Sequence, residues 1–75
     1  NGQGAKQDYF KAVEWYSKAA EQGNADAQCS LGGCFMSGRG VKQDYVQAFE
    51  WFLKAVEQGN ADAQYNLAFC YQHGR

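Results

Sequence analysis

The chain has 75 residues, 45% hydrophobic and 16% aromatic, which suits one small domain with a packed core and is too apolar for a disordered tail. Seven Lys and Arg against eight Asp and Glu leave a net charge of −1, spread along the chain, so a nucleic-acid binder that depends on a basic patch is disfavoured. No apolar run approaches the ~20 residues that a membrane-spanning helix needs, so membrane insertion is not expected.

Nine Gly and no Pro make glycine the punctuation. The first residues carry no initiator Met and open inside a motif that returns later in the chain. They are therefore read as part of something longer, with any targeting signal outside it.

The first expected helix covers residues 8–22. Asp8 stands at its start, Gly23 follows its end, and Glu14 and Lys18 form an i, i+4 pair on its wet face. Trp15 lies beside the small Ala12 and Ala19, so it is expected to pack in the core rather than to stack on a ligand. The second helix covers 25–37, capped by Asn24. Ala27, Leu31, Cys34 and Phe35 share one side of it, and Gly32 flanks them where a partner helix can come close. Gly38-Arg39-Gly40-Val41-Lys42-Gln43 forms the connection, with Val41 expected to fold back into the core.

The third helix covers 44–58. Tyr45, Ala48, Phe49, Trp51, Phe52, Leu53, Ala55 and Val56 fill an apolar arc about 200° wide, broader than the ~100° stripe of an ordinary surface helix. Such a helix touches neighbours on two sides. Asp44 caps it, Gln47 completes a loose capping box, Gly59 ends it, and Glu50 and Lys54 repeat the wet-face pair. The fourth helix covers 61–73, capped by Asn60 with Asp62 in its first turn, and Ala63, Leu67, Cys70 and Tyr71 lie together on one side of it with Ala68 flanking them.

An internal repeat underlies this order. Trp15 and Trp51 are 51 − 15 = 36 residues apart, and residues 1–36 match residues 37–72 at 21 of 36 positions. Glu21-Gln22-Gly23-Asn24-Ala25-Asp26-Ala27-Gln28 returns unchanged as Glu57-Gln58-Gly59-Asn60-Ala61-Asp62-Ala63-Gln64. Short connections make neighbouring helices antiparallel, and stacked identical units give an all-α solenoid.

The pattern Ala27-x-x-x-Leu31-Gly32-x-x-Phe35-x-x-Gly38-x-Gly40-Val41-x-x-Asp44-x-x-x-Ala48-x-x-Trp51-Phe52-x-Lys54-Ala55 resembles the Sel1-like repeat, a relative of the tetratricopeptide repeat. The resemblance covers essentially the whole chain. It implies a right-handed α-α solenoid of antiparallel helix pairs, with residues 24–59 as one full unit and 1–75 as a fragment of a longer array. It also implies a protein-interaction scaffold that binds a protein or peptide segment. Phe35 stands where the family usually has Tyr, Ala68 where it has Gly, and Val56 where it has Ala.

By resemblance to tetratricopeptide arrays, the face of each unit's first helix opposite the core lines a concave groove. That face holds Asp26, Cys29, Gly33, Met36 and Ser37, and in the next copy Asp62, Tyr65, Phe69, Gln72 and His73. Gly33 makes the shallow part, where a peptide backbone fits, and Met36, Tyr65 and Phe69 are the apolar anchors. The competing expectation is that Tyr65 and Phe69 only pack against a following unit.

No catalytic, cofactor-binding or metal site is expected. Three cysteines cannot all pair, no Cys-x-x-Cys or Cys/His cluster is present, and Cys29 lies ~140° around its helix from Cys34. Buried Cys34 and Cys70 are expected to behave as small hydrophobes, and Cys29 as an unreactive thiol on a partly open face. Free thiols fit a cytoplasmic setting. His73 has no Ser or Cys placed to use it as a base. Some relatives carry a β-lactamase-like assignment, but no Ser-x-x-Lys or carboxylate pair supports a hydrolase here; the other alternative is a purely architectural spacer. With roughly two units, the chain alone is expected to be marginally stable or to associate end to end.

Overall fold

A computed structural model describes residues 2–73, with side chains from Asp8 to His73. It has four helices: α1 Gly2–Glu21, α2 Ala25–Ser37, α3 Tyr45–Glu57 and α4 Ala61–His73. Each packs on the next in sequence, and α2 also touches α4. The layer measures 34 × 28 × 17 Å.

The helix ends are built by the residues that recur in the two copies. Asn24, Asp44 and Asn60 each accept a hydrogen bond at Oδ1 from the backbone N–H three residues on, at 2.8, 3.1 and 2.8 Å. Caps of this kind contribute about 0.5–2 kcal/mol each. Gly23 and Gly59 are left-handed, at φ 94° and 87°. The N–H groups of Gly23 and Asn24 return to Ala20 and Ala19, and those of Gly59 and Asn60 return to Val56 and Ala55. The identical linker residues therefore fold into the same double turn in both copies.

One boundary departs from expectation. α1 begins at Gly2, six residues before the expected start at Asp8. The matching segment after α2 is a loop because α2 holds it. Gln43 Nε2 donates to the Met36 carbonyl at 2.8 Å, and the Asp44 N–H donates to Phe35 O at 2.9 Å. Among the described residues no helix precedes α1 to offer such carbonyls, so its first turn satisfies its own backbone instead.

The core forms around two clusters. Ala20, Ala27 and Leu31 bring α1 and α2 together, with Val13, Tyr16, Ala19, Phe35 and Trp51 around them. Ala48, Phe52 and Cys70 bring α3 and α4 together, with Cys29, Phe35, Met36, Tyr45, Phe49 and Leu67 around them. Phe52 is the largest fully buried side chain. It lies against Gly32, where a Cβ would come 2.7 Å from two ring carbons. The small residue on α2 is thus what admits the ring. Gly40, at φ 76°, sits against α1, where a Cβ would meet the Tyr9 carbonyl oxygen at 2.6 Å. The connection closes over α1 only with glycine there. Val41 is half-buried.

The two tryptophans differ, although their sequence settings match. Trp51 is half-buried against Ala20, Ala27 and Leu31. Trp15 is 75% exposed, so the core role expected for it does not hold in this chain. Its face of α1 has no helix beside it among the described residues. Phe52→Ala should therefore lower stability by about 3–5 kcal/mol, whereas Trp15→Ala should change it by less than ~0.5 kcal/mol. Thermal or urea unfolding followed by circular dichroism measures both. Equal losses for the two variants would contradict this packing.

Candidate interaction face

The expected groove residues divide once α2 and α4 are side by side. Asp26, Gly33 and Ser37 on α2, and their counterparts Asp62, Phe69 and His73 on α4, share one open side. A Cβ added at Gly33 would meet nothing within 4 Å. Ser37 Oγ donates to the Gly33 carbonyl at 2.9 Å, so that hydroxyl is turned along its own helix. The Phe69 and His73 rings stack at 4.2 Å with a 34° tilt, and Phe69 keeps 42% of its surface exposed.

Cys29 and Met36 lie further round α2 and are half-buried against the α3–α4 cluster. Asn66 Nδ2 donates to Cys29 Sγ at 3.6 Å. Tyr65 and Gln72 hold the same positions on α4 and are exposed, Tyr65 at 74%. The ten residues thus supply six on the open side, two in the α2–α4 seam and two at the outer edge of α4.

Besides the Asn66–Cys29 contact, two further polar links hold the helices in this relation. Asn60, while capping α4, donates through Nδ2 to Asp26 Oδ1 at 2.9 Å. Gln28 is buried in the core and bridges three helices: its Nε2 donates to the Ala20 carbonyl at 3.2 Å, and its Oε1 accepts from Gln58 Nε2 at 3.0 Å. Sequence reasoning assigned Gln28 no role. Its unchanged recurrence as Gln64 was the available signal, and the interior partner was not legible from either copy alone.

Beside Gly33 a cavity of about 400 Å³ opens between α1 and α2. Tyr9, Tyr16, Ser30, Ser37 and Arg39 are among its lining residues, and the Arg39 guanidinium stands 5.3 Å from the Tyr9 ring centroid. Its lining offers hydrogen bonds, a cation and aromatic faces.

Burial pushes all three thiols above the ordinary cysteine range. At Cys29 the Asn66 hydrogen bond opposes this while Asp62 and Asp26 add to it; at Cys34 the Arg39 charge opposes it. Cys70 also donates to the Tyr45 carbonyl at 3.5 Å. Among the described residues no three His, Cys, Asp or Glu side chains gather to hold a metal ion.

The raised thiols set a pH dependence. Unfolded thiols ionise near pH 8.5, before the folded ones. The resulting stability contribution is intact below that pH and is lost as pH rises towards the folded values. Replacing all three cysteines by Ala or Ser should flatten the stability–pH curve above ~8.5, as urea unfolding between pH 7 and 10 would measure. An equally steep decline in the cysteine-free chain would contradict this.

Comparison with known proteins agrees with the geometry. No curated protein is similar enough to the chain to match it. The family model for the Sel1 repeat matches residues 1–24, 25–60 and 61–75. Such repeats are non-enzymatic helical scaffolds that generally mediate protein–protein interaction. With the helix pairs, the linker turns and the match all following one period along the whole chain, the protein belongs to the Sel1 repeat family.

Proposed function

We propose that the chain binds an extended protein segment along the open side of α2 and α4. The observation that carries this reading is the pairing of Gly33 with Phe69. They hold equivalent positions on adjacent helices, one leaving bare backbone with open space above it and the other an accessible ring stacked on His73. A partner backbone lies against Gly33, where no side chain holds it off, and an apolar partner side chain rests on Phe69. Asp26 and Asp62 border this path, and Arg39 stands at the adjoining cavity. The path therefore favours a partner with mixed polar contacts around one apolar anchor.

Cys29 and Met36 support this surface from the seam rather than by direct contact. Tyr65 and Gln72 lie at its outer edge. A hydrolase reading finds no support in buried, protonated thiols and a stacked histidine.

The test is a pull-down to supply a partner, followed by calorimetric titration of variants. Phe69→Ala should weaken binding by about 2 kcal/mol. Gly33→Leu should weaken it by obstructing the path while leaving the fold intact, since that position is open. Glu50→Ala on the opposite side should bind normally. If Glu50→Ala abolishes binding and the other two bind as the parent chain does, the partner occupies the convex face and the proposal fails.

A further inference from the structure

Charge is divided unevenly between the helices. α2 and α4 each hold one acid, Asp26 and Asp62, and neither holds a Lys or Arg. Together they carry −2, while the remainder of the chain carries +1. The helical lysines stand on α1 and α3, and Arg39 and Lys42 stand in the connection after α2. Two of these cations are taken up by rings: Lys54 is 5.7 Å from the Trp51 centroid and Arg39 is 5.3 Å from that of Tyr9.

The two acids act on one place. Burial is the main cause that raises the Cys29 thiol, and Asp62 and Asp26 both add to it at the α2–α4 seam, with only the neutral Asn66 amide acting the other way. The charge of Arg39 acts instead on Cys34. Both carboxylates are exposed. That of Asp26 is also held in place, since its Oδ1 accepts from Asn60 Nδ2 at 2.9 Å while Oδ2 keeps its own acceptor capacity. The positive N-terminus of each helix offsets about half a charge, so the two carboxylates keep this edge negative.

Asp62 and Phe69 are seven residues apart on one face of α4. That is ~10 Å along the helix, which about three residues of extended chain span. Asp26 and Gly33 repeat the spacing on α2.

We infer that the segment received by the open side is basic: a Lys or Arg of the partner seats over the seam between Asp26 and Asp62, and an apolar residue about three positions away rests on Phe69. The inference rests on the open side of α2 and α4 being the binding face. Charge complementarity argues for this occupant, because an acidic segment would meet two carboxylates with no cation on either helix to answer it.

A phage-displayed library of random linear peptides, selected on the 75-residue chain, tests this. Peptides that bind the parent chain but not Gly33→Leu occupy the open side. They should be enriched in Lys or Arg about three residues from an apolar residue. Titrated by fluorescence anisotropy, they should bind Asp26→Asn and Asp62→Asn several-fold more weakly than the parent. The double variant should bind more weakly still, with a flatter dependence on salt. Asn at either position keeps a side-chain acceptor, so the helical circular dichroism should be unchanged. Glu50→Gln removes the same charge from the opposite side and should bind as the parent does. Open-side binders that are neutral or acidic overturn the inference and leave the binding face standing. So do basic binders that lose no affinity in the double variant, or that lose as much in Glu50→Gln. Binders indifferent to Gly33→Leu, or none at all, overturn the inference together with that face.

Discussion

The close approach of α3 to α2 at Gly32 holds the rest of the structure in place. A fully buried Phe52 ring occupies the space that a Cβ at position 32 of α2 would claim. The contact joins the two core clusters, because Phe35 packs against both and Trp51 reaches the first from the helix that carries Phe52. A glycine inside a helix costs about 0.5–1 kcal/mol relative to alanine. Burying an aromatic side chain contributes about 1.5–3 kcal/mol. The balance favours the glycine wherever a large ring sits opposite, which accounts for a residue that helix propensity alone disfavours.

From that contact the open side follows. With α3 fixed on α2, the Asn60 cap reaches Asp26 and Asn66 reaches Cys29, so α4 lies beside α2. Cys29 and Met36 turn into the seam. What remains outward on α2 is Gly33, and on α4 Phe69 with His73. The surface proposed to receive a partner is therefore a consequence of helix stacking, with packing residues beneath it and few residues of its own.

Much of this was legible in the sequence because the repeat states each rule twice. The caps at Asn24, Asp44 and Asn60, the left-handed Gly23 and Gly59, and the burial of Cys34 and Cys70 all stand where pattern and spacing place them. The first turns of α1 were not legible, since Gly4 to Gln7 repeat a loop whose shape depends on carbonyls of a preceding helix. Trp15 misled for the same reason: its arc matches that of Trp51, but a periodic pattern says which face is apolar and not whether a neighbour covers it. Gln28 was invisible because its interior role needs Ala20 and Gln58, and only the fold brings these within reach. The groove stripe was too wide for a related reason. A helical wheel places Cys29 and Gly33 on one arc, and the distance to α4 decides which of them faces the seam.

The most direct measurement of the central contact is a double-mutant cycle on Gly32→Ala and Phe52→Ala, by urea unfolding with trimethylamine oxide present to keep all four chains folded. If the ring is what excludes a side chain at position 32, Gly32→Ala destabilises the chain that has Phe52 and stabilises the chain that lacks it, by about 0.5–1 kcal/mol. The same sign and size in both backgrounds would mean that Gly32 and Phe52 act independently, and the account of how the helices stack would be wrong.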